Sequence, residues 1–135
     1  LVVSGAVERP ISWGYEDLAA DSTIKATIDC TGGWYSEQIW SGVPLSDILH
    51  HSQPNASASS VTVRSVTGYH RRFSLEEAGG YLLATHVGGR PLDRGHGCPA
   101  RLVAPGKRGF EWIKWVTSVE VNESPHWLQW PLPLQ

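Results

Sequence analysis

Apolar residues in this chain alternate over short runs, and Gly, Pro, Ser or Asn breaks every run within a few residues. That punctuation limits the fold to many short strands joined by turns, with helices of two or three turns at most. The strand candidates are "LVVSGAV" (1–7), "KATIDC" (25–30), "VTVRSV" (61–66), "HRRFSL" (70–75) and "ARLVAPG" (100–106). "YLLATHV-GG-RPL" (81–92) reads as a hairpin whose Gly88-Gly89 pair allows the positive φ of a tight turn. In "WIKWVTSVEV" (112–121), Ile113, Trp115, Thr117, Val119 and Val121 fall on one face, and Lys114, Ser118 and Glu120 on the other.

Helix signals are brief. "SWGYEDLAAD" (12–21) has its acidic residues early, and "PLSDILHH" (44–51) has proline in the first turn with an apolar stripe at 45, 48 and 49. Ser74 and Glu77 form a capping box for a short helix ended by Gly79-Gly80. "SQPNASASS" (52–60) reads as a surface loop, with too little chain on either side to divide the molecule. There is no βαβ rhythm and no internal repeat. The expectation is one α+β domain over residues 1–135, with mixed, mainly antiparallel sheets and short helices.

Charge narrows the partners. Lys+Arg 11 against Asp+Glu 13 gives a net charge of -2, which offers no electrostatic basis for nucleic-acid binding. No apolar run is long enough to span a membrane. The chain starts at Leu1 and has no methionine, so it reads as a soluble fragment of a longer parent. Four of its seven tryptophans (Trp112, Trp115, Trp127, Trp130) lie from position 112 onward.

Four stretches concentrate reactive side chains. Cys30 precedes Gly32 and Gly33, which let a ligand approach the backbone. A thiolate there suits a soft or high-valent metal, whereas most free cysteines are small core residues. Between positions 90 and 109, Arg90, Arg94, Arg101, Lys107 and Arg108 are interleaved with glycines and with prolines at 91, 99 and 105. Such a segment suits a phosphate-bearing cofactor, or is a solvated charged loop. It contains His96 between two glycines. Lys114, flanked by Trp112 and Trp115, either snorkels past the indoles or offers a fixed cation to an anion. "TGYHRRF" (67–73) is a hairpin tip or a pocket rim. The two cysteines fit no zinc spacing. A Cys30–Cys98 disulfide is one reading of them, although their flanks suggest different jobs. No G-x-S-x-G or H-E-x-x-H motif occurs, so redox or transfer chemistry would come from a cofactor.

Taken in order, "LVVSGAVERP…SWGYEDL", "TIDCTGGW…IWSGVPLSDIL", "VTVRSVTGY…FSLEEA" and "LLATHVGGRPLDRGHGCPARLVAPGKRGFEWIKWVTSVEV" resemble the molybdopterin-binding domain of the sulfite oxidase family. That family includes sulfite oxidases, assimilatory nitrate reductases and bacterial methionine-sulfoxide-reducing enzymes. The resemblance implies a molybdenum-molybdopterin cofactor with Cys30 as the metal ligand, and Tyr69 is a candidate catalytic group near the reacting centre. Tyr35 and His70 are further candidates there. It implies that His96 and Arg101 contact the pterin and its phosphate, that Lys114 reaches the cofactor, and that Arg108, Gly109 and Phe110 lie against the pterin. The implied activity is oxygen-atom transfer on a small oxyanion or sulfoxide-like substrate, with a redox partner in the parent protein or membrane. "TGGWYS" lacks the arginine that follows the metal cysteine in sulfite oxidases, which weighs against sulfite. The upstream family segment that adds pterin contacts is also missing, so the isolated domain is expected to bind cofactor weakly. The tail "PHWLQWPLPLQ" resembles bacterial members whose catalytic domain follows membrane helices, implying a membrane-anchored or exported bacterial parent. The competing reading is a non-catalytic binding module that keeps the fold without the cofactor and uses its tryptophans on a partner.

Overall fold

The computed structural model describes residues 1–29 and 35–129; Cys30, the Gly32-Gly33 turn and Trp130 lie outside the described residues. In chain order the elements are β1 (Val2–Gly5), β2 (Ile11–Ser12), β3 (Ser22–Asp29), β4 (Tyr35–Pro44), α1 (Leu45–Ser52), β5 (Ser60–Ser65), β6 (His70–Ser74), α2 (Leu75–Ala78), β7 (Leu82–Val87), β8 (Arg90–Pro91), β9 (Arg101–Val103) and β10 (Val116–Asn122).

They make two sheets. The first runs β2-β1-β10-β5-β6, and the second β3-β4-β7-β8, with β9 also on β7. β8 and β9 pair with opposite ends of β7, at Val87 and at Leu82–Ala84 respectively. Every described pairing is antiparallel except β1 with β10. This is the expected α+β arrangement of mixed, mainly antiparallel sheets with short helices.

Local chemistry explains most elements. The Gly88-Gly89 turn joins β7 to β8 with both residues at positive φ (59° and 80°), which glycine adopts without a Cβ clash. Ser74 caps α2 by accepting from the Glu77 N–H at 3.0 Å, as the capping box predicts. In α1, Leu45, Ile48 and Leu49 are buried, one apolar stripe of a two-turn helix. Pro44 stands just before this helix, at its cap position.

Two expectations need correction. Residues 12–21 hold only a 3-10 turn, Tyr15–Asp17, with none of its residues buried; Tyr15 is pinned when its hydroxyl donates to Val116 O at 2.7 Å. The strand expected from 112 starts at Val116, because Trp115 sits at a φ of 53° and leaves the extended backbone. Ile113, Val119 and Val121 are buried as expected, while Trp115 departs from their face. The polar loop 52–60 is anchored at both ends: Ser52 Oγ donates to Leu49 O, and Ser60 Oγ donates to Ser124 O.

β4 had no strand signal strong enough to be named, yet it pairs with both β3 and β7 and carries fully buried Trp40. Trp40 meets Trp112 edge to face, ring centres 5.8 Å apart. Backbone bonds from Leu102 N to Ile113 O (2.8 Å) and from Val116 N to Ala100 O (2.9 Å) tie β9 to the segment entering β10. That stitched region holds the site.

Candidate cofactor site

The chain from Ala104 to Trp115 leaves the second sheet and returns to the first. Its middle is a 3-10 turn, Gly109–Glu111, which starts at exposed Arg108. Together with the β5–β6 hairpin it encloses a cavity of 320 Å³, lined by Ser65, Thr67, Tyr69, Gly109, Phe110, Trp112, Ile113, Lys114 and Trp115. The size falls within the range of small-molecule sites, and the walls are largely apolar, with four aromatic side chains among them. Four residues singled out in the sequence, Tyr69, Gly109, Phe110 and Lys114, therefore line one cavity. "TGYHRRF" is at once a hairpin tip and part of the rim.

The far wall is braced from below. Tyr69 donates its hydroxyl to Phe110 O at 2.5 Å, and burial raises its pKa above the ordinary phenol value, with Arg71 opposing and Glu111 reinforcing the rise. Its proton stays on the oxygen at neutral pH. Arg71 is buried, bridges to Glu111 at 3.5 Å, and lies 5.7 Å from the Phe110 ring centre.

Beside the cavity stands a turn, Asp93 to Cys98, whose carbonyls are taken up one after another. Asp93 O accepts from His96 N (3.1 Å) and Cys98 N (2.9 Å), and Arg94 O from Gly97 N (3.2 Å) and Trp115 Nε1 (2.9 Å). Gly95 O accepts from Lys114 Nζ (2.7 Å), His96 O from Arg101 Nη1 (3.2 Å), and Gly97 O from Trp115 N (3.3 Å). Trp115 holds its positive φ, an uncommon and costly conformation for a bulky side chain, by means of these bonds. With the backbone committed, His96 projects its imidazole outward, 56% exposed. Its Nδ1 lies 2.7 Å from Asp93 Oδ1, and that hydrogen bond holds the Asp93 carboxyl below the usual aspartate range.

Arg101 and Arg108 sit differently. Arg101 is buried, its guanidinium over the rings of Trp40 (5.2 Å) and Trp112 (5.8 Å), with Nη2 donating to Trp112 O. It joins His96 through the backbone and does not line the cavity; neither does Arg108. Tyr35 belongs to β4, and Cys30, the expected metal ligand, falls outside the described residues. Cys98 is a free, half-buried thiol, against the disulfide reading. Arg71 lies in the stretch expected as a possible rim, whereas Asp93, Glu111 and Trp115 are not singled out by the sequence as site residues. Only Asp93 left a sequence signal, a capping carboxylate three residues before a histidine.

Comparison with known proteins follows the same outline. The family model described as oxidoreductase molybdopterin binding domain matches residues 1–130. A nitrate reductase [NADPH] of Fusarium oxysporum is 27% identical over 91% of this chain, and the protein-methionine-sulfoxide reductase catalytic subunit MsrP of Xanthomonas campestris pv. campestris is 31% identical over 90%. The chain spans 17% of the first and 44% of the second. The crystal structure of the sulfane dehydrogenase SoxCD from Paracoccus pantotrophus superposes with a TM-score of 0.86 at 26% identity, covering 92% of this chain and 38% of that one.

Proposed function

The chain belongs to the oxidoreductase molybdopterin binding domain family, a molybdopterin-dependent oxidoreductase domain with molybdenum-molybdopterin as its cofactor, and from that premise we propose that Cys30 supplies the thiolate that holds the metal for oxygen-atom transfer on a small oxyanion or sulfoxide. One observation carries the reading: the cavity walled by Tyr69, Gly109, Phe110 and Lys114, next to a turn that thrusts out His96.

The residues present fit such a cofactor. A planar pterin packs against aromatic faces, and a 320 Å³ space bounded by Tyr69, Phe110, Trp112 and Trp115 offers them. A phosphate-bearing group asks for cations, and Lys114 and Arg108 stand at the cavity and at the start of its 3-10 turn. When bound, the cofactor supplies a two-electron redox centre able to give up or accept an oxygen atom.

The chain's own residues have distinct tasks. His96 offers its exposed ring to the pterin as a hydrogen-bond partner. Arg101 fixes the turn through His96 O and adds positive charge from within. Phe110 and Gly109 form the surface against which the ring system rests. Tyr69, its proton engaged by Phe110 O, closes the wall and excludes water from the reacting centre. Electrons pass to or from a redox partner in the parent protein.

The test is molybdenum content. Protein made in a host that synthesises the cofactor is expected to carry molybdenum, and Cys30→Ser to lose most of it. Equal metal in both would remove Cys30 as the ligand. Turnover of nitrate and of methionine sulfoxide with a reduced dye then separates the substrate classes. A second reading, a partner-binding module, draws on Trp127, 67% exposed beside an open cleft lined by Glu76, Pro125 and His126. It requires wild-type protein from that host to contain no molybdenum.

A further inference from the structure

We propose that Asp93 is a positioning residue for the cofactor site: its carboxylate fixes the ring of His96 and holds the proton of the neutral imidazole on Nδ1, so that Nε2 is offered outward as an acceptor. The proposal rests on the reading of His96 as a cofactor contact.

Geometry carries it. Asp93 Oδ1 lies 2.7 Å from His96 Nδ1 and also accepts from His96 N at 2.8 Å, so one oxygen grips both ring and backbone of the same residue. An ionised carboxylate is an acceptor only. The ring nitrogen facing it must therefore be the donor, and in the neutral ring that leaves Nε2 with its lone pair free. The turn cannot relax around this pair, because the carbonyls of residues 93 to 97 are all engaged by Arg101, Lys114, Trp115 and the turn itself. Two torsions of His96 and one tautomer are then all that the ligand leaves undecided, and Asp93 settles them before the ligand arrives. A pterin presents ring N–H and amino donors along its edge, and an imidazole Nε2 acceptor matches those donors. Pre-organisation of this kind lowers the ordering cost of binding.

The carboxylate also caps the 3-10 turn Arg94–His96, so the two jobs must be separated. Asp93→Ser keeps a capping oxygen for His96 N, but its hydroxyl sits one bond closer to the backbone and loses the ring. Asp93→Asn keeps an oxygen for both. Long-range proton–nitrogen NMR of cofactor-free protein with labelled histidine reads the tautomer directly, with His96→Gln used for assignment. The Nδ1–H form is expected to dominate in wild type and in Asp93→Asn, and the Nε2–H form in Asp93→Ser. Molybdenum per chain from a competent host is expected to fall at least threefold in Asp93→Ser and to recover by at least half in Asp93→Asn, with all three proteins showing the same dispersed amide spectrum. An unchanged tautomer in Asp93→Ser overturns the proposal, as does a changed tautomer with undiminished molybdenum. Absence of molybdenum from the wild type overturns the cofactor reading itself and leaves the tautomer comparison to decide the hydrogen bond.

Discussion

Gly97 shows how tightly the turn is set against the rest of the site. Its φ is 109°, and a Cβ placed there would stand 2.8 Å from Arg101 Cβ and 3.2 Å from Lys114 Cβ. Neither neighbour is the loose end of a side chain, so something in the backbone must shift. Gly97→Ala combines a left-handed backbone penalty of ~1–2 kcal/mol with an overpacking cost of ~1–3 kcal/mol. A loss of about 2–5 kcal/mol, read as a lower urea midpoint at unchanged slope, is expected, and a loss below ~1 kcal/mol would mean that the turn is looser than its hydrogen bonds imply. At this scale the sequence marked His96, Phe110 and Lys114 well, since glycine and tryptophan neighbours single them out. It could not show that Arg101 faces inward. A guanidinium in a Gly/Pro-rich stretch reads as a surface cation, and only the placement of Trp40 and Trp112 on other segments turns it into an internal one.

Strand edges and helix ends carry the second set of consequences. β6 is the last strand of its sheet, and its outer edge at Arg72 is met by a side chain: Arg72 N donates to Gln129 Oε1 and Gln129 Nε2 donates to Arg72 O, both at 2.8 Å. Arg72 Nη1 adds a bond to Ser124 Oγ. The amide thus imitates one rung of a further strand and blunts an edge that could otherwise recruit another chain. Gln129→Ala is expected to cost about 1–2 kcal/mol and to speed exchange of the Arg72 amide; unchanged exchange would show that the rung is not maintained in solution. On α2, the hydrogen bond from Lys107 holds the Glu77 carboxyl below its usual 4.5, helped by the charges of Lys107 and His126, with Nζ to Oε2 at 2.9 Å. A depressed carboxylate favours the folded state above its unfolded pKa, and that contribution fades as pH drops from about 4.5 through the lower folded value. Glu77→Gln should therefore lose stability at pH 7 and flatten the acid limb below 4.5, whereas a parallel limb would remove Glu77 from the account. The cap at Ser74, the Gly88-Gly89 turn and most strands were readable because each depends on local chemistry. β4 was not, since Glu37, Gln38 and Ser41 hide its alternation and its pairing with β3 and β7 is what makes it a strand.

The site belongs to neither sheet alone. Tyr69 comes from the β5–β6 hairpin of the first sheet, His96 from the run between β8 and β9 of the second, Arg101 from the start of β9, and Gly109 to Trp115 from the connection that returns to β10. The sheets share one apolar core, closed by the Trp40–Trp112 contact and by the backbone bonds of Leu102 and Val116. No sequence period reports which strands from distant stretches will meet, which is why the ordered series of motifs indicated the family while single segments left alternatives open. A ligand that touches the hairpin, the turn and the return segment together must favour the folded state, because unfolding separates all three. At a concentration about 100 times its dissociation constant, a ligand adds ~2.7 kcal/mol to stability, which for a chain of this length raises the melting temperature by roughly 10 °C. The cofactor-loaded protein is expected to melt higher than cofactor-free protein by about that amount, and Lys114→Ala, which removes a cavity wall and the bond to Gly95 O together, to shrink the gap. Differential scanning calorimetry of matched samples measures it. Identical melting curves for loaded and empty protein would mean that the cofactor rests on one segment alone, and the cavity between the hairpin and the return segment, with the turn beside it, would lose its claim to be the binding site.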